Sequence, residues 1–358
     1  MFITKQDDYD NFICIAGDCP DTCCTGWDIM IDDDSLQRYT SYEGELGAFI
    51  KSQVDFENKC FKHNGTKCAL INEEGLCTIQ KNYGEEGLCR TCDRYPRHIE
   101  EFEDVEEYSL SLSCPEAARM MLLRKEPMSF SESEVPDRED YEEDEEFDFF
   151  LYTTLNEVRV YLYQIIQNRS LSIPVRMGRI LQIAGRLEEL YDEGQLFEAG
   201  ELSKQSFEDM EFSYEEDKEL FSHLYDIEFL APDWKDILDG TWNEIVNDKS
   251  NYDMAIRSMN SKEGSLVAEN IMMFFVYSYF CGAVYDEYIF SKVALAVHST
   301  RWIFMVKEYA YTKGLRIPQN VKADTEELRY LIWASYRFAR EIEHSNENLE
   351  ALNEILAR

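Results

Sequence analysis

Residues 149–166 read FFLYTTLNEVRVYLYQII, and within them Leu151, Leu155, Val158, Leu162, Ile165 and Ile166 recur at spacings of three and four. That period places them on one face of an amphipathic helix and sets the fold class of the second half of the chain. The same reading continues toward the C-terminus, where helices are expected at 176–193, 214–229, 236–247, 264–288, 290–312 and 324–357. The last carries Leu331, Ala334, Phe338 and Ile342 at matching spacing. Residues 149–358 are therefore expected to form an all-α helical domain, with no internal repeat and no strand-rich region.

On the N-terminal side of this helix, Ser131 to Asp148 read SESEVPDREDYEEDEEFD, where eleven carboxylates oppose the single Arg138. Such self-repelling runs are usually linkers, so 131–148 is expected to be an acidic linker. Residues 1–130 are punctuated by the turn signals Asn64-Gly65, Glu74-Gly75 and Tyr83-Gly84, which leave few long periodic runs. The exception is CPEAARMMLLRK, Cys114 to Lys125, where Pro115 marks a helix start. The expected fold is mainly α: a loop-rich, Cys-rich, metal-binding N-terminal module at 1–130 and the helical domain at 149–358.

With 44% hydrophobic and 13% aromatic residues, the 358-residue chain has the apolar area for a sizeable core and is no disordered protein. Its 72 Asp and Glu against 35 Lys and Arg give a net charge of −37. Phosphate backbones and anionic membranes repel such a surface, whereas a cationic partner such as a lysine-bearing protein is attracted. Met1 is followed by Lys5, Asp7, Asp8 and Asp10 rather than by a signal-peptide apolar run, so a cytoplasmic location is expected. The most apolar stretch, Ile271 to Val284, is shorter than the roughly 20 residues that span a bilayer and includes Ser278; it reads as a buried helix.

Ten of the eleven cysteines precede position 115, beginning with Cys14-x4-Cys19-x3-Cys23-Cys24 and Thr25-Gly26-Trp27. A reducing compartment argues against disulfides. Structural zinc usually announces itself by two Cys-x2-Cys knuckles, and only Cys89-x2-Cys92 has that spacing, with His63 and His98 as further candidate ligands. An iron–sulfur cluster accepts thiolates at irregular separations and is favoured over zinc, though the spacings permit both. Adjacent Cys23 and Cys24 point in opposite directions in extended backbone, which fits two clusters or one cluster and a packed thiol. The radical-type triplet Cys-x3-Cys-x2-Cys is not met, because Gly26 stands where the third cysteine would be. Arg94 and Arg97 flank Tyr95-Pro96 just after Cys92, where their guanidinium groups could hydrogen-bond sulfur or a cofactor carboxylate. Trp27 could shield a cluster from water, and no Gly-x-Gly-x-x-Gly follows an apolar strand, so a dinucleotide-type cofactor site is not evident.

Phe12-Ile13-Cys14, Cys19-Pro20-Asp21-Thr22-Cys23-Cys24-Thr25-Gly26-Trp27, Gly75-Leu76-Cys77-Thr78-Ile79, Thr91-Cys92-Asp93-Arg94-Tyr95-Pro96-Arg97 and Leu112-Ser113-Cys114-Pro115-Glu116 together resemble the flagellin lysine-N-methylases. The likeness covers roughly the first 120 residues and extends loosely to the WASYRFAREIEHSNENL ending. It implies a protein-lysine N-methyltransferase acting on flagellin, with an iron–sulfur cluster, 4Fe–4S by type, and S-adenosylmethionine as methyl donor. The metal set it implies is Cys14, Cys19, Cys23, Cys24, Cys68, Cys77, Cys92 and Cys114, with Cys60 and Cys89 as extras. The same pattern is similar to cysteine-cluster proteins of undefined activity, so an iron–sulfur or zinc binding or electron-transfer protein is the alternative. Asp18, Asp21 and Asp28 lie beside the cysteines and could position an amine, but no catalytic base is assigned.

Overall fold

The computed structural model describes residues 1–136 and 147–357; residues 137–146, the middle of the expected acidic linker, lie outside the described residues. The chain opens with strand β1 (Phe2–Gln6). Past the first thiols come helices α1 (Asp33–Ser41) and α2 (Gly44–Ser52). Two short ribbons follow, β2 (Val54–Asp55) with β3 (Cys60–Phe61) and β4 (His63–Asn64) with β5 (Lys67–Cys68). Helices α3 (Thr78–Tyr83) and α4 (Arg90–Arg94) lead to the hairpin β6 (Arg97–Phe102) and β7 (Val105–Leu110). Helix α5 (Pro115–Leu122), foreseen from Pro115, and strand β8 (Phe130–Glu134) complete this half.

A four-stranded sheet in the order β6-β7-β1-β8 was not foreseen. Strand β1 runs parallel to β7, with Phe2 opposite Val105, and antiparallel to β8, with Phe2 opposite Glu134. Residues 131–134, expected as linker, are thus a paired edge strand. The acidic sequence of β7 hid its burial: Glu107 is covered because Arg159, equally buried, meets it with both guanidinium nitrogens. A paired charge can lie inside where an isolated one could not.

The second half is helical, as its periodicity requires: α6 (Phe149–Ile166), α7 (Ile173–Asp192), α8 (Tyr214–Ser222), α9 (Trp234–Thr241) and α10 (Lys249–Ser258). Then come α11 (Lys262–Tyr279), α12 (Ala283–Asp286), α13 (Ile289–Thr312), α14 (Glu326–Glu343) and α15 (Asn346–Ile355). Side-chain caps fix several starts; Asp148 accepts from the Leu151 amide and Ser261 from the Gly264 amide. The helix expected at 324–357 is two helices, broken at His344 and restarted by Ser345, whose hydroxyl accepts from the Asn348 amide. Helix α10 was missed because it is short and buries only Tyr252 and Ala255 of its ten residues. Two helical stretches, Lys262–Asp286 and Ile289–Thr312, are long and apolar enough to cross a membrane by length and composition, but most of each is buried inside the fold. That burial is how core helices read.

Two apolar cores result. The larger unites the helical half with the sheet and α5, running from Tyr9 and Phe12 through Leu112 and Met121 to the α13 and α14 side chains. The smaller comprises Ile29, Ile31, Tyr39, Ile50, Val54, Phe61, Cys68, Leu70, Ile79 and Cys89, all from the cysteine-rich segment.

Candidate functional site

The first thiols sit on a loop shaped by tight turns. Cys14 is exposed and its sulfur accepts from the Ala16 amide at 3.4 Å, while the Cys19 thiol donates to the Asp21 carbonyl at 3.2 Å. Gly26 turns the chain at φ +90°, where a side chain would be strained, and its amide donates to the Thr66 carbonyl at 2.9 Å. The Cys68 amide donates to the Cys24 carbonyl at 2.8 Å, tying the loop to β5. Three later thiols occupy the residue that precedes a helix: Cys77 before α3, Cys89 before α4 and Cys114 before α5. There the first backbone amides of the helix face the sulfur, an arrangement that favours thiolate and is common around metal-bound sulfur.

These pieces converge. Cys14, Cys19, Cys23, Cys24, Cys77 and Cys114 line one cavity of about 100 Å³, closed further by Phe12, Tyr95 and Glu116. The thiols act on one another electrostatically in two groups. Cys14 and Cys19 act on Cys114, which acts in turn on Cys23, and Cys24, Cys77 and Cys89 act on Cys68. Burial pushes Cys68 and Cys114 up to about 12, and the neighbouring thiols add to the rise. The hydrogen bond between Cys23 and Cys24 lowers Cys24 and raises Cys23; that between Cys89 and Cys92 lowers Cys89 and raises Cys92. So many thiols cannot ionise together without a compensating cation, which a metal centre supplies. Among the described residues no three His, Cys, Asp or Glu side chains converge as a single metal ion requires.

The other expected site residues fall differently. Trp27 lies beside the thiol loop without lining the cavity: its indole N–H donates to the Cys23 carbonyl at 2.7 Å, and its ring stacks on His344 with centroids 4.8 Å apart. Arg97 lies over the Tyr9 and Phe12 rings and donates to the Phe12 carbonyl at 3.3 Å. Arg94 is exposed at the end of α4, on the side of Tyr9 and Tyr108. His63 stands 3.5 Å from Asp28, and His98 pairs with Glu100 at 3.0 Å on β6; neither lines the thiol cavity. Cys60 is set apart in the β2–β3 ribbon, whereas Cys89, read as an extra, is buried beside Cys92.

The guanidinium that reaches the thiol loop belongs to Arg340. It donates to the Asp21 carbonyl at 2.7 Å and the Ser113 carbonyl at 3.0 Å, and pairs with the Asp21 carboxylate at 2.9 Å. One turn on, the Glu343 carboxylate accepts from the amides of Leu112 at 3.1 Å and Ser113 at 2.8 Å, immediately before Cys114. Burial raises Glu343 above the ordinary carboxylate range, and burial with the Arg340 charge drops His344 to about 3, leaving its ring neutral. Sequence reading missed this trio. Its signal was polar residues at positions i, i+3 and i+4 on a helix otherwise read as core.

The end of α14 thus clamps both ends of the thiol segment to the helical half, a cysteine-rich site gripped by an α domain. A family described as the FliB lysine N-methylase C-terminal domain matches residues 159–358, more than half of the chain, and the chain belongs to that family. The Lysine-N-methylases of Salmonella choleraesuis (strain SC-B67) and Salmonella typhimurium (strain LT2) are each 28% identical to it over 142 residues, 37% of this chain and 35% of theirs. The Flagellar biosynthetic protein FliU of Salmonella muenchen is 27% identical over 139 residues, 36% of this chain and 82% of its own. The match therefore spans about a third of the length of the two lysine-N-methylases. No solved structure matches the chain.

Proposed function

We propose that this chain is a protein-lysine N-methyltransferase acting on flagellin, with S-adenosylmethionine as methyl donor and an iron–sulfur cluster held by its N-terminal thiols. The observation that carries the reading is the cavity ringed by Cys14, Cys19, Cys23, Cys24, Cys77 and Cys114, clamped by α14 of the family-matched region. Cys68 and Cys92 complete the donor set in the adjoining group. A bound iron–sulfur cluster would supply iron sites and a one-electron couple at this cavity.

The chain's own task is to present a neutral amine to the methyl donor. The lysine nitrogen lone pair forms a bond to the methyl carbon, the carbon–sulfur bond breaks with its pair going to sulfur, and the amine proton leaves to a carboxylate or water. Trp27, Tyr95 and His344 pack together beside the thiol loop, and an apolar wall of this kind favours the uncharged amine.

The test is incubation of the full chain, purified without oxygen, with methyl-labelled S-adenosylmethionine and flagellin, followed by peptide mapping. Label on lysine is expected. A chain that holds its cluster yet leaves every lysine unlabelled would overturn the reading in favour of electron transfer.

A further inference from the structure

A cavity of about 320 Å³ lies between the β6–β7 hairpin and helices α11, α12 and α15, within the range of sizes that hold small ligands. Its lining carries both signs of charge. His98 and Glu100 of β6 pair at 3.0 Å, and the Glu343 carboxyl acts on the same imidazole. Lys292 of α13, only 5% exposed, pairs with Asp286 at the end of α12. An ammonium has three N–H donors, and among the described residues Asp286 is the one partner of this group. Buried donors are ordinarily paired, so the rest are left for the oxygens of a ligand.

The other walls suit an aromatic group. Phe274, Tyr279 and Tyr285 face the same space. Gly282 also lines it, and a Cβ there would meet no other atom of the chain within 4 Å. Its backbone, at φ −59°, lies in the ordinary right-handed region, so the turn does not require glycine; what its missing side chain leaves is room.

We infer that this cavity binds the methyl donor, with Lys292 on its α-carboxylate, Glu100 and Glu343 on its α-ammonium, and the aromatic walls against its adenine. The inference rests on the methylase reading and gives its co-substrate a site. S-adenosylmethionine joins a zwitterionic amino acid to a purine nucleoside through a cationic sulfur, so its binding calls for a cation, carboxylates and aromatic surface together. It carries no phosphate, and a glycine-rich phosphate turn, which the sequence lacks, is not needed to hold it. Glu343 also accepts from the Leu112 and Ser113 amides before Cys114, so the donor site and the thiol loop share one side chain.

The site is tested by calorimetric titration of the full chain, purified without oxygen, with S-adenosylhomocysteine, the demethylated product. Adenosine and methionine, its two halves, are the controls. The whole ligand is expected to bind, and each half about tenfold or more weakly. Gly282→Leu fills the cavity and should weaken the whole ligand about tenfold or more, with a melting temperature near that of the parent. Lys292→Met should weaken it by about tenfold and leave adenosine unaffected, a split that general damage to the fold would not produce. Absence of binding, methionine binding as tightly as the whole ligand, or unchanged binding by Gly282→Leu overturns the assignment. Binding lost in Cys114→Ser but unmoved in Gly282→Leu would put the donor at the thiols and overturn it equally. Methyl transfer to flagellin with an unchanged KM for S-adenosylmethionine in Gly282→Leu would remove the site and leave the methylase reading standing. Binding blocked by Gly282→Leu, in a chain that never labels lysine, would keep the site and remove the methylase reading.

Discussion

The helical half and the thiol segment are held together by different means. Around α13, side chains such as Trp302, Ile303, Phe304, Met305 and Val306 are almost wholly buried, and the core they belong to extends across the sheet. The segment from Cys14 to Cys92 instead has ribbons of two residues, short helices and only ten fully buried core residues, two of them cysteines. A core that small does not ordinarily hold a fold by itself, and natural domains of this size add metals or disulfides. On the proposed reading the cysteines serve stability and chemistry at once.

The sharpest way to break the comparison is to strip the proposed metal with a chelator under reducing conditions. Amide hydrogen exchange should then lose its protection across 13–94 while α13 keeps its own; equal loss in both regions would erase the distinction. Next in size, Phe304→Ala should cost about 3–5 kcal/mol in urea unfolding, because a fully buried ring leaves a cavity. Glu107→Ala strands the buried Arg159 and should cost about 3 kcal/mol, loosening the sheet from α6 before the thiol core.

His298 provides a pH signature confined to the helical half. Burial lowers it from 6.5 to about 4, so it stays neutral in the folded chain while its unfolded counterpart gains a proton below 6.5. Its contribution is present above pH 6.5 and is lost as pH falls through 4, up to about 3 kcal/mol. His298→Leu should flatten that part of the stability profile. The smallest effect expected is about 1 kcal/mol from Asp148→Ala, which removes the cap of α6, read as a small shift in melting temperature.

Most helices were legible because their apolar period is strong and their core is contiguous, as with Leu151 to Ile166 and the 290–312 stretch. The sheet was not, since Glu106 and Glu107 look like surface residues until the fold brings the Tyr108 hydroxyl to the first and Arg159 to the second. The break at His344 and Ser345 was hidden inside a pattern that continues on both sides. The clustering of ten cysteines before position 115 pointed to one thiol module. It could not show that Cys77 and Cys114, far apart in sequence, close the same cavity as Cys14, nor that Arg340 rather than Arg94 reaches the loop. Those are long-range placements, and they depend on how α14 docks.

The most direct test of the account is the iron, zinc and acid-labile sulfide content of the full chain purified without oxygen. The account predicts iron and sulfide in near-equal amounts, both reduced by Cys114→Ser, which removes a thiol from the cavity while α5 retains Pro115 at its start. Zinc without sulfide, or a thiol segment that is fully protected from exchange with no metal bound, would contradict it.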